Sequence, residues 1–419
     1  MMAPRHGRVE TQASRIVVSG AIDLGDFRRL LAAMHDVTAR RGYSDVLLDF
    51  GQCETAFPGP MAAVCAAVLR LRQGGVETAA ILPSEERLRK LFVNAGWAYL
   101  LDPANQPESR FRGYRHVPVV QFMSPAEQKS VVDRMMDATL ASTVGLARGD
   151  LTAIHWSLNE ITDNVLVHSS SPVGGVVHVN HFRRQKRIEF VVADPGVGIP
   201  ATLREGHRFA SDAEALDRAI RQGVTRRKDI GQGNGLYGTF RVAEANRGYF
   251  RVHSGSARLS YEGGTLHVRT EAIVHRGTLV VVGLDYSNPA ALGEALRLGT
   301  GQRELSEGDY IQLRYEDMTA DVLVVHVFSE VASVGSRVAG EPFRRKLLNL
   351  VRTHPGHRIV LDLSGIDLVS SSFADEAFGK LFVQIGPLQF MRTFTFRNVT
   401  PLVKSLIDKA IVQRSAASD

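Results

Sequence analysis

Cysteine is nearly absent: Cys53 and Cys65 are the only two in 419 residues. Two thiols in the first third of a chain cannot build a disulfide framework, so a reducing compartment, by default the cytoplasm, is expected. Long apolar runs are missing as well. The opening Met-Met-Ala-Pro-Arg-His-Gly-Arg carries charge without the apolar core of a signal peptide, and no stretch approaches a bilayer span, so no membrane partner is expected. Nor is charge of one sign concentrated: 50 Lys and Arg against 44 Asp and Glu leave +6, spread along the chain. Nucleic acid is therefore not indicated. What is present is an ordinary globular composition, 44% hydrophobic and 22% charged, in a chain long enough for two or three domains.

Lysine is also missing from one helix face, and that absence is informative. Read as part of a helix, residues 159–168 place Glu160, Asp163, Asn164 and His168 on one side, and the same helix continued back to Leu151 puts Leu151, Ile154, Leu158, Ile161 and Val165 on the other. Solvated faces usually mix Lys with Glu; this one offers acids, an amide and an imidazole, which suits a hydrated divalent cation and a proton acceptor. A plain surface helix is the alternative. A strand, 188–193, then runs into Asp194-Pro-Gly196-Val-Gly198-Ile199-Pro. Glycines at alternate positions let the backbone approach a planar ring while the Asp carboxylate accepts from an exocyclic amine, which favours adenine over guanine. Third comes Gly231-Gln-Gly233-Asn234-Gly235-Leu236-Tyr-Gly238, entering a helix whose free N–H groups suit phosphate oxygens. No Gly-Lys-Ser/Thr follows, so this is not a Walker A loop, and the charged run before it is not the strand of a Rossmann turn. The polar and basic residues 201–230 read as a mobile flap, with Arg226, Arg227 and Lys228 either reaching a γ-phosphate or simply solvated.

Together these segments resemble the N, G1 and G2 boxes of GHKL ATPases and kinases: Glu-x-x-x-Asn-x-x-x-His, Asp-x-Gly-x-Gly-Ile-Pro and Gly-x-Gly-x-Gly-Leu-x-Gly, in that order. The resemblance covers residues 124–284 and implies a two-layer α/β sandwich, the Bergerat fold, with helices on a mixed sheet. It implies ATP and Mg²⁺ as cofactors and Glu160 as general base. Asn164 would be the Mg²⁺ ligand and Asp194 the adenine contact. Asp163, His168, Gly196, Gly198, Ile199, Gly231, Gly233, Asn234, Gly235, Leu236, Gly238 and Thr278 would line the nucleotide. His168 matches a residue of the anti-sigma kinases, with a local packing role as the alternative.

The flanks resemble each other. Residues 46–72 and 359–381 both read strand, loop, small-residue helix, a pattern similar to the STAS domains of anti-sigma factor antagonists. The expected α/β architecture is thus three domains: STAS-like over 1–108, GHKL over 109–288 and STAS-like over 289–419. In the first, Phe57-Pro-Gly-Pro60 occupies the start of the helix, where that family often carries a phosphorylatable Ser; Thr55 is the nearby hydroxyl, and docking is the expected role. In the second, Ser370-Ser371-Ser372-Phe-Ala-Asp375-Glu376 opens the helix, with Ser372 and Asp375 expected as its cap and the three serines as candidate phospho-acceptors. The function these features imply is an anti-sigma-type serine/threonine kinase or partner switch that meets regulatory proteins through its STAS-like domains; a homodimer is allowed. An ATP-hydrolysing conformational switch and a non-catalytic ATP-sensing adaptor stay open.

Overall fold

A computed structural model describes residues 7–109, 116–221, 235–287, 314–315, 321–331 and 333–416. The described residues form two compact units. The first takes in those up to Met135 together with 156–287, and the second takes in 136–155 together with those from 314 onward. No helix among the described residues is long and apolar enough to cross a membrane.

The first unit holds two sheets. The N-terminal one has order β1 (Arg8–Gln12), β2 (Arg15–Ile22), β3 (Asp45–Ala56), β4 (Glu77–Ile81); β1 pairs antiparallel with β2 and the other pairings are parallel. Between and after the strands come α1 (Phe27–His35), α2 (Pro58–Gln73), α3 (Glu86–Asn94) and α4 (Trp97–Leu101). The segment 51–56, expected as loop, continues β3 as strand, with register shifts against β2 absorbing the extra residues. The helix after it starts at Pro58, with the extended Phe57 before it, and Pro58 and Pro60 supply the preset φ of a first turn. Glu85 caps α3: its carboxylate accepts from the amides of Arg87 (2.9 Å) and Leu88 (2.6 Å).

The second sheet has order β5 (His116–Phe122), β6 (Gly175–Phe182), β7 (Arg187–Asp194), β9 (Thr265–Asp285), β8 (Tyr249–Glu262). It was expected to be mixed, yet every described pairing is antiparallel, because β9 inserts between the like-directed β7 and β8. α5 (Pro125–Ser142), α6 (Arg148–His168), α7 (Ile199–Arg204), α8 (Asp212–Ala219) and α9 (Gly235–Ala245) follow in the chain. The expected flap is anchored as far as residue 221. Asp212 accepts from the amide and hydroxyl of Ser256 on β8 (2.7 and 2.9 Å) and pairs with Arg204 at 2.7 Å, while Ala215 and Leu216 are buried.

One core joins the two sheets. Met61 to Ala66 and Val68 of α2 are buried together with Val176, Val191, Ala193, Leu279 and Val281 of the central sheet. At the other end of the contact the buried Arg28 of α1 donates to the carbonyls of Gly255 (2.8 Å), Ala257 (2.7 Å) and Ile273 (2.6 Å), where the β8–β9 ladder breaks register. Residues on alternate positions of β7 and of the 279–284 stretch of β9 therefore face opposite sides of the sheet and are buried on both, which explains why these stretches are continuous apolar runs.

The second unit carries a parallel sheet β10 (Val322–His326), β11 (Arg358–Asp362), β12 (Phe394–Arg397) in that order. Helix Arg337–Thr353, capped by Ser336, packs against the helical stretch 371–385, which holds one π-helical turn at Asp375–Gly379. Ser370 is the cap of that stretch, its Oγ accepting from the Phe373 amide at 3.0 Å and lying 3.1 Å from Ser372 Oγ. Asp375, expected to join the cap, instead takes Arg414 (2.6 and 2.8 Å) and Arg337 (3.2 Å), so its carboxyl is held below the usual range, first by the Arg414 hydrogen bond.

Candidate functional site

Helix α6 supplies the first wall. Its apolar face is buried as the periodicity requires, with Leu151, Leu158 and Ile161 at 2% exposure or less, and Gln128 of α5 reaches Thr162 Oγ1 at 2.9 Å. The opposite face carries Glu160, Asn164 and His168, half-buried, and Asp163, exposed. Beyond the helix, the Ser169 carbonyl accepts from the Val197 amide at 2.8 Å, and the His168 carbonyl accepts from Thr202 Oγ1 at 3.2 Å. The first segment is thereby tied to the second.

That second segment is shaped by close approach. A Cβ on Gly196 would collide with the Ser169 carbonyl; Gly198 sits at φ +85°, where a Cβ would fall 2.7 Å from Ser254 Oγ. Asp194, at the end of β7, points to the face that α6 and α9 cover and stands opposite Thr278 in the β7–β9 ladder. Burial pushes its carboxyl up to about 7, against hydrogen bonds from the Gly196 amide (2.8 Å) and from Thr278 that pull it down. A dry carboxyl already held by donors on two residues presents a fixed acceptor edge.

The third segment meets the first at the start of α9. A Cβ on Gly235 would strike the Glu160 carboxylate, and one on Gly238 the Trp156 ring, so both glycines are needed for α9 to lie on α6. Leu236 is half-buried beside them. Gly231, Gly233, Asn234, Arg226, Arg227 and Lys228 lie outside the described residues. Sequence reading missed Ser254 of β8, which accepts from the Ile199 amide (2.9 Å) and donates to the Gly277 carbonyl of β9 (2.8 Å), fastening the end of the Asp194 turn to those two strands. A polar residue interrupting the apolar alternation of β8 was its one visible signal.

The donor set fits magnesium nucleotide. No group of three or more His, Cys, Asp or Glu capable of holding a metal occurs among the described residues. One amide beside a carboxylate, Asn164 and Glu160, is what a cation needs when most of its ligands are water and phosphate oxygens.

Two stretches of the chain match known families. Residues 149–288 match the histidine kinase-, DNA gyrase B-, and HSP90-like ATPase family, and residues 339–404 match a STAS-like domain of unknown function, DUF4325. No curated protein matches the chain. The chain carries a GHKL-type ATP-binding domain followed by a STAS-like domain.

Proposed function

We propose that this protein is a Mg-ATP-dependent serine/threonine kinase of the anti-sigma type, working in a partner switch through STAS-like domains at 1–108 and 289–419 around the ATP-binding domain at 109–288. The observation that carries this reading is the seating of Gly235 on the Glu160 carboxylate, with the end of α6 hydrogen-bonded to the Asp194 turn. Glu160 takes the proton from the attacking hydroxyl, Asn164 holds Mg²⁺, and the start of α9 directs its N–H groups at phosphate. Bound Mg²⁺ supplies charge neutralisation between phosphate oxygens. Asp194 accepts from the adenine amine, and Gly196 and Gly198 let the ring approach. Catalysis is then chiefly positioning and charge stabilisation.

Among the candidate acceptors, Ser370 is engaged as a helix cap, whereas Ser371 is exposed at the first helical position, where a phosphate gains from the helix dipole. Asp375 and Glu376, which would repel it, are already matched by Arg414, Arg337, Arg344 and Lys380. Buried free thiols at Cys53 and Cys65 accord with a cytoplasmic setting.

Incubation with γ-labelled ATP followed by phosphosite mapping tests the reading. Label on serine or threonine, lost in Glu160→Ala while ATP still binds, is the expected result. Free phosphate without labelled protein would favour a hydrolytic switch instead, and neither product would leave a binding adaptor.

A further inference from the structure

The central sheet has two faces, and only one serves the nucleotide. Along β7 the side chains alternate: Ala193 lies in the core shared with α2, while Asp194 points the other way. Helix α2 packs over β6, β7 and β9, and Gly59 at its start comes so close that a Cβ would stand 3.1 Å from Val281. From the last turns of the same helix, Arg70 Nη1 donates to the carbonyl of Pro195 at 2.9 Å. The residues immediately before and after Asp194 are therefore both held by α2, one by apolar contact and one by a charge-assisted hydrogen bond.

We propose that α2 of the N-terminal domain is the back support of the adenine pocket and that Arg70 is a positioning residue for base recognition, acting through Pro195 on Asp194. This rests on the assignment of Asp194 to the adenine amine. The chemistry is specific. A carboxylate discriminates an amine from a carbonyl on the base only if its acceptor edge is held still, and a turn freed on one side can rotate that edge away. Phosphate contacts, which come from α6 and α9, do not pass through Arg70. Loss of the guanidinium should therefore be felt at the base and not at the triphosphate. The helix that in antagonist-type STAS domains presents a modifiable hydroxyl is here buried against the sheet, consistent with a docking rather than an acceptor role.

The test compares dissociation constants of ATP and inosine triphosphate, which replaces the amine with a carbonyl, measured by titration calorimetry on the full chain with Mg²⁺. Arg70→Ala should weaken ATP by about fivefold, the scale of one hydrogen bond, and leave inosine triphosphate within twofold. Arg70→Lys, whose ammonium still reaches a carbonyl, should recover most of the preference. Arg70 is exposed, so both variants should melt within a few degrees of the parent. An unchanged ATP preference in Arg70→Ala, or an equal loss for both nucleotides, would overturn the positioning role alone. A parent chain that binds inosine triphosphate as tightly as ATP, with Asp194→Ala no different, would overturn the adenine assignment beneath it as well.

Discussion

Replacing Asp194 by Asn tests the base pocket most sharply, because the same carboxyl is read by both the fold and the ligand. Burial pushes it up to about 7 against 3.8 in a free chain, only partly offset by the Gly196 and Thr278 donors. A carboxyl raised in this way contributes stability that is complete below 3.8 and is lost as pH rises through 7. The difference amounts to roughly 4 kcal/mol, at 1.36 kcal/mol per unit. Asp194→Asn cannot ionise, so the empty variant should melt higher than the parent at pH 8 and no higher at pH 4. Binding should move the opposite way. The Gly196 amide, 2.8 Å from Asp194 Oδ1, fixes which side of the group must be an acceptor. An Asn in the same pose turns its NH₂ toward the base, donor against donor, and ATP should weaken by about 10-fold or more at pH 8, the worth of a charge-assisted bond of ~1.5–3 kcal/mol. Inosine triphosphate, presenting a carbonyl, should bind the variant better than the parent. For the parent, lowering pH from 8 to 6 neutralises the carboxyl and should weaken ATP by about fivefold, since a neutral acceptor is worth about 1 kcal/mol less. Calorimetry at pH 6, 7 and 8 with both nucleotides reads all of this. An Asn variant that binds ATP at pH 8 as the parent does would refute the assignment.

Three further expectations follow from other contacts. Ser254→Ala removes the acceptor of the Ile199 amide and should cost about 1–3 kcal/mol and weaken ATP, measured by thermal melting and calorimetry together; normal nucleotide binding would separate Ser254 from the pocket. In the second unit, Lys346 is buried against Glu330 and lies 3.3 Å from Asp137, so Lys346→Ala should destabilise by about 3–5 kcal/mol in denaturant titration, with Lys346→Met combined with Glu330→Gln restoring much of it. Deleting residues 1–109 uncovers Val176, Val191, Ala193, Leu279 and Val281 at once, and the remainder should aggregate or bind a hydrophobic dye strongly; a soluble, monodisperse fragment that still binds ATP would show that the cover is dispensable.

Much of the site was legible because its signals are local. The polar face of α6 follows from a 3.6-residue period, and the glycines at 196, 198 and 235, expected where the backbone approaches a nucleotide closely, lie against Ser169, Ser254 and Glu160 of the chain itself, with Gly233 outside the described residues. What escaped depends on partners distant in sequence. Ser254 is one serine in a strand until Ile199 and Gly277 are brought to either side of it. The cap of the C-terminal serine run fell on Ser370 and not Ser372 because two arginines from other helices had already claimed Asp375. Strand β3 ran six residues past its apolar stretch because pairing with β2, not its own hydrophobicity, holds it there. The antiparallel sheet was hidden for the same reason, since order in the chain does not reveal that β9 lies between β7 and β8.

The union of the N-terminal and ATP-binding parts could have been inferred one step further than the resemblance takes it. A helix that is apolar on one side needs one partner, but α2, with Met61-Ala-Ala-Val-Cys-Ala-Ala-Val68, is apolar nearly all round and needs two. Its own sheet supplies only one. Strand β7 and the 279–284 stretch of β9, apolar on both faces, likewise lack a second cover if α6 and α9 fill the first. Two unmatched apolar surfaces in one chain, each too large to leave in water, satisfy each other most simply by docking, and the shared core of α2 with Val191, Ala193 and Val281 is that solution. On the proposed assignment of Asp194 to adenine, the turn that carries it rests on a helix the nucleotide-binding motifs do not encode, and residues outside all three motifs should then contribute to its affinity.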